Sequence, residues 1–118
     1  MPFQSILKTL VEETPQAVGA ILVDWEGEAV QEWCRCDPYE MRFIGAHKGI
    51  ILTRLKEMQG SEQVGAIEDV VVTASDRHLI VGCIDDDYSL VMDVGRACPV
   101  ALALYHFRIA VRRLKKEI

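Results

Sequence analysis

Two hydrophobic periods alternate along the chain. Phe3, Ile6, Leu7, Leu10 and Val11 recur at i, i+3, i+4, i+7 and i+8, which is one face of a short helix. Thr14-Pro15 ends it, because a residue before proline avoids the helical region. Residues 17–23 form a nearly continuous small and apolar run, GAILV at its heart. Such a run predicts a strand covered on both faces and central in its sheet. Asp24-Trp25-Glu26-Gly27 predicts a turn, and the mixed residues 28–34 a half-exposed second strand of a hairpin. Asp37-Pro38-Tyr39-Glu40 is a helix start: Asp37 caps, Pro38 fits the first helical position and Glu40 completes a capping box. That helix runs to residue 58 or 59, with Gly60 as its C′ residue.

At about 100° per residue, Phe43, Ile44, His47, Ile50, Ile51 and Met58 share one side of this helix, which is predicted to face the sheet. Arg54 falls on that side as a misfit, its stem packed and its head in water. Residues 67–74, 78–84 and 88–93 predict three more strands joined by Ser75-Asp76-Arg77 and Asp85-Asp86-Asp87 turns. Pro99 opens a last helix, on which Val100, Ala103, Leu104, Phe107, Val111, Leu114 and Ile118 repeat at helical spacing. The predicted order is α-β-β-α-β-β-β-α, within a single domain spanning residues 1–118.

Composition narrows the class. The chain has 118 residues, half of them hydrophobic, which excludes a disordered chain and provides for one core. The formal charge of −5 argues against nucleic acid as the main partner. That charge is uneven. Residues 108–118 carry Arg108, Arg112, Arg113, Lys115 and Lys116 against Glu117 alone, a net of +4, which leaves −9 for residues 1–107. Cations in the last turns of a helix complement its dipole and need no partner to explain them. The amino terminus lacks the basic region of a signal peptide, and the longest apolar runs are too short to span a bilayer. A soluble cytoplasmic protein with no membrane insertion is expected.

Candidate chemistry is sparse. Cys34, Cys36, Cys83 and Cys98 offer a C-x-C but no C-x2-C pair, so reduced thiols are expected rather than a zinc site. There is no G-x-x-x-x-G-K-[ST], G-x-S-x-G or H-E-x-x-H. His47 lies on the apolar side of the middle helix, His78 beside a turn and His106 on the last helix, with no spacing that joins them. Asp85-Asp86-Asp87 lacks the EF-hand pattern and reads as a solvated hairpin tip. Trp25 is expected to be exposed. Trp33 fits either an anchor for a partner or a closure at the end of the sheet. Neither a catalytic residue nor a cofactor or metal is expected.

Gly45 and Gly49 are the pointed feature of the middle helix, since each costs about 1 kcal/mol of helix stability relative to alanine. They lie opposite Phe43, His47 and Ile50, together with Met41, Leu52 and Lys56, and are flanked by Arg42, Lys48 and Thr53. That side is predicted to face outward, low in relief and weakly charged. It offers close approach to another backbone, and the alternative is mere tolerance of glycine.

The element order, and the segment Gly19-Ala-Ile-Leu-Val-Asp24-Trp-Glu-Gly27-Glu-Ala-Val30, resemble the Roadblock / dynein-light-chain family over essentially the whole chain. The resemblance implies an α+β sandwich: a five-stranded antiparallel sheet with the long helix on one face and the first and last helices on the other. It further implies a dimer whose third strands pair, here Val70, Val71, Val72, Thr73 and Ala74, with the middle helices side by side. An exposed β-branched edge is a liability that pairing with a copy removes. Bacterial members that it resembles regulate small Ras-like GTPases, and eukaryotic members assemble on dynein or scaffold GTPase complexes. The expected function is therefore a non-enzymatic homodimeric regulator or scaffold that binds such a GTPase through Met41, Arg42, Gly45, Lys48, Gly49, Leu52, Thr53 and Lys56. No arginine finger is marked, although Arg42 and Arg54 lie on the helix. The alternatives are an adaptor subunit without GTPase regulation, and a small-ligand sensor on a profilin-like sheet.

Overall fold

The computed structural model describes residues 2–59 and 67–118, and for residues 47–53, 55–56 and 58–59 the helical backbone alone. The elements are α1 (Pro2–Glu13), β1 (Ala17–Asp24), β2 (Ala29–Cys34), α2 (Pro38–Gln59), β3 (Asp69–Thr73), β4 (Arg77–Cys83), β5 (Tyr88–Gly95) and α3 (Val100–Glu117). The expected α-β-β-α-β-β-β-α order is the observed one. All strand pairs are antiparallel, in the sheet order β2-β1-β5-β4-β3.

The middle position belongs to β5 rather than to β1. Its Leu90–Val94 run, buried throughout, pairs Val91 with both Ile21 of β1 and Val81 of β4. β1 is interior as well, between β2 and β5, which accounts for its unbroken apolar stretch. β2 and β3 are the edges. β2 carries a bulge that skips Val30, a device that blunts an edge against unwanted pairing. The Asp24–Gly27 turn forms as the sequence predicts. Gly27 sits at φ +87, and Asp24 Oδ1 accepts from the Glu26 and Glu28 amides.

Side-chain alternation divides the core into two layers. On one face Ala20, Leu22, Ile80, Leu90 and Met92 pack against Ile6, Leu7, Leu10 and Val11 of α1 and Ala103, Phe107, Ala110 and Leu114 of α3. On the other face Ile21, Val23, Val81 and Val91 pack under α2. Each fully buried side chain of this size contributes roughly 1.5–3 kcal/mol. The α1/α3 layer is thick and its aliphatic wall is continuous with half-buried Trp33, so Trp33 closes the end of the sheet while Trp25 stands exposed at the turn.

Phe107 is the largest fully buried side chain, and it seats on Gly82 of β4. A methyl group at position 82 would run into its ring. Gly82→Ala is therefore expected to lower unfolding free energy by about 1–3 kcal/mol through overpacking. Urea unfolding reads the loss, and Phe107→Leu in the same chain is expected to recover part of it.

Candidate functional site

α2 begins where the sequence predicts. Asp37 Oδ1 accepts from the Tyr39 amide at 3.0 Å, and Pro38 occupies the first helical position, where a missing N–H costs nothing. Its rotation about its axis is not the predicted one. Met41 is fully buried in the layer formed by Ile21, Val23, Val81 and Val91. Gly45 is buried too, and a Cβ there would lie 2.9 Å from Ile21 Cγ2 and 3.1 Å from Val23 Cγ1. Met41 and Gly45 thus belong to the inner face, not to an outward partner face. The glycine does permit close approach of a neighbour, and that neighbour is the chain's own sheet.

Of the residues expected to point inward, the side chains of Phe43 and Ile44 are described, while those of His47, Ile50, Ile51 and Met58 lie outside the described residues. Phe43 is 59% exposed and Ile44 is half-buried on the flank; Tyr39, one turn before Phe43, is 74% exposed. Two residues beyond Met41 correspond to about 200° of rotation, which carries Phe43 to the opposite side. Hydrophobicity alone put Phe43 on the wrong side because this helix has apolar residues on both sides. Arg54 is exposed and pairs with Glu57 at 3.6 Å. Of the remaining predicted contact residues, Arg42 is exposed. Lys48, Gly49, Leu52, Thr53 and Lys56, like His47, lie outside the described side chains.

Arg42 is tied to β2. Its Nε donates to both Glu32 carboxylate oxygens at 2.9 Å and its Nη2 to Oε1 at 2.6 Å. Glu32 holds the guanidinium above its usual pKa. This forked pair fixes the first turns of α2 over the edge strand. Beside it runs an open groove of about 520 Å³ lined by Ala29, Val30, Gln31, Glu32, Tyr39 and Phe43. Exposed Val30, Tyr39 and Phe43 give it an apolar side. Sequence reasoning missed Tyr39 and Phe43 as surface residues. The signal that finds them is Gly45, since the smallest residue on a helix marks where it comes nearest its support.

At the other edge, β3 presents Val70, Val71, Val72 and Thr73, which are half-buried to exposed. Ala74 falls just beyond the strand, its amide bonded to Arg77 O in the β3–β4 turn. Arg108 of α3 reaches this edge and holds Asp69 by a fork, Nε–Oδ2 at 2.9 Å and Nη2–Oδ1 at 3.2 Å. One cation of the basic carboxyl-terminal segment thus has a definite structural partner, beyond the helix dipole.

The thiols do not gather. Cys34 and Cys36 lie near one another under α2, Cys83 lines the same layer and Cys98 lies in the opposite one. Burial, then the neighbouring Cys34, pushes the Cys36 thiol up to about 11, so it is protonated and poorly nucleophilic at neutral pH. Among the described residues no three His, Cys, Asp or Glu side chains are placed to hold a metal ion. At the acidic tip, Asp85 Oδ1 accepts from the Asp87 and Tyr88 amides, which is turn chemistry. His78 is buried and bonded through Nδ1 to Thr73 Oγ1 at 2.8 Å. No described helix is long and apolar enough to cross a membrane.

This architecture has close structural parallels. A Roadblock/LC7 domain from Streptomyces avermitilis superposes with a TM-score of 0.78 at 19% identity, over 97% of this chain and 95% of that one. Myxococcus xanthus MglB superposes with a TM-score of 0.87 at 11% identity, over 98% and 94%. The gliding protein MglB from Thermus thermophilus gives 0.77 at 17%, over 95% and 84%. The chain has the Roadblock/LC7 fold. No family model matches the sequence, and no curated protein matches it.

The inward setting of Gly45 makes a testable demand. Helix propensity alone would make Gly45→Ala more stable by about 1 kcal/mol. The contact with Ile21 and Val23 reverses the sign, so thermal or urea unfolding is expected to show a less stable protein.

Proposed function

We propose that this chain is a Roadblock-type, non-enzymatic regulator or scaffold that works as a homodimer and binds a small Ras-like GTPase over its paired α2 helices. The observation that carries this reading is the outward aromatic stripe of α2. Tyr39 and Phe43 stand in solvent on a helix whose inner side is already committed to the sheet. Exposed aromatic side chains beside an ordered arginine have the composition of an interface core. The β3 edge, which has no outer neighbour among the described strands, supports the dimer: pairing it with a copy satisfies its outward backbone groups and extends the sheet by two-fold symmetry. The GTPase itself comes from the family resemblance of the sequence, which the shared fold with MglB supports.

The contact face differs from the one expected of the sequence. It keeps Arg42 and takes Tyr39 and Phe43 in place of Met41 and Gly45. Regulation would act by positioning the GTPase's own groups. An adaptor role without regulation uses the same surface and differs only in its partner.

Three measurements test this. Light scattering at micromolar concentration is expected to give twice the 13.3 kDa chain mass, and a monomer would refute the dimer. Phe43→Glu with Tyr39→Glu is expected to leave the circular dichroism spectrum intact and to weaken GTPase binding at least tenfold. Binding of the unchanged protein should also differ between the GDP-loaded and GTP-analogue-loaded GTPase; equal binding to both points to a scaffold, and none to the adaptor role.

A further inference from the structure

A second feature lies away from the α2 stripe, where the start of α2 crosses the ends of β1, β4 and β5. Asp93 of β5 is only 3% exposed, on the α2 side of the sheet. Its Oδ2 accepts from Arg77 Nη1 at 3.0 Å. Its Oδ1 is buried with no hydrogen-bond partner among the described residues. A buried carboxylate oxygen left unpaired keeps its full desolvation cost, which a donor reaching it from outside the chain relieves.

A cleft of about 120 Å³ opens at this point, lined by Val18, Cys36, Glu40, Ile44, Asp76 and Arg77 together with Asp93 and Gly95. Its volume equals that of about four waters, enough for a planar guanidinium head. Three carboxylates, Glu40, Asp76 and Asp93, face one cation, Arg77, so the cleft is net negative even beside the positive end of α2. Val18 and Ile44 supply apolar walls suited to the flat faces or stem of such a group.

We propose that this cleft is a receptor for a guanidinium group, which donates to Asp93 Oδ1 and is flanked by Glu40 and Asp76. The group arrives either as a small free cation or as the side chain of an arginine on a partner. Arg77 stays in place and orients Asp93, leaving the second oxygen for the guest. The groups that face the guest are Asp93 and Arg77 from the sheet, Asp76 from the β3–β4 turn, Glu40 from α2 and the protonated Cys36 thiol. Burial raises the pKa of Asp93 above its ordinary value, so binding weakens on acidification through that raised range as the carboxylate takes up a proton.

Methylguanidinium chloride titrated into the full-length protein at constant ionic strength, followed by amide NMR, tests this. Saturable shifts at Cys36, Asp93 and Gly95 are expected. Methylurea, the neutral isostere, should not produce them. Asp93→Asn should abolish them. Should that variant fail to fold, the exposed substitutions Glu40→Gln and Asp76→Asn, each expected to weaken binding severalfold, take its place. A blocked Gly-Arg-Gly peptide that binds at least as well as methylguanidinium identifies the guest as a partner's arginine, and a peptide that does not bind identifies a free cation. Equal shifts with methylurea, shifts that persist without the Asp93 carboxylate, or no saturable shift with either cation would overturn the proposal and leave a water-filled cleft.

Discussion

The contact of Gly45 with Ile21 and Val23 sets the rest of the α2 side. A side chain at position 45 would hold the helix off the sheet, because a Cβ there already falls 2.9 Å from Ile21. With the helix seated, Met41 fills the space over Ile21, Val81 and Val91, and Ile44 closes the flank. Helical geometry then leaves Tyr39 and Phe43 no inward position. The exposed aromatic stripe follows from close packing on the other side of the same helix. The Arg42–Glu32 fork holds the first turns in that rotation by tying them to the edge strand.

The two faces of the sheet play different parts. The α1/α3 face carries the thick aliphatic layer with Phe107 at its heart, and it is the stable support. Among the described residues, the α2 face holds three thiols, a buried aspartate and a small cleft near the start of the helix. The proposed interaction features lie on or beside that face: the stripe, the β3 edge and the Asp93 cleft. The opposite face is committed to supporting the sheet beneath them.

Much of this was legible in the sequence. The period-2 and period-3.6 runs located every element, Asp37-Pro38 placed the start of α2, and Gly27 placed the hairpin turn. The element order and hairpin motif carried the resemblance to the fold observed. The face of α2 was not legible, because its sequence is apolar on two sides and periodicity cannot rank them. Met41 and Gly45 look small or incidental beside Phe43 and Ile50, yet the inner stripe of a helix pressed onto β-branched residues must be slim. Asp93 was hidden for another reason. It sits within an apolar strand, and only the sheet register brings Arg77 to one oxygen and leaves the other without a partner among the described residues.

The rotation of α2 is the claim on which the functional reading depends. Hydroxyl-radical footprinting of Met41, Tyr39 and Phe43 across a dilution series measures it directly. The account predicts that Met41 stays protected at every concentration, whereas Tyr39 and Phe43 are labelled in dilute protein and become protected once a partner or a second copy covers them. Labelling of Met41 together with protection of Phe43 at all dilutions would contradict it.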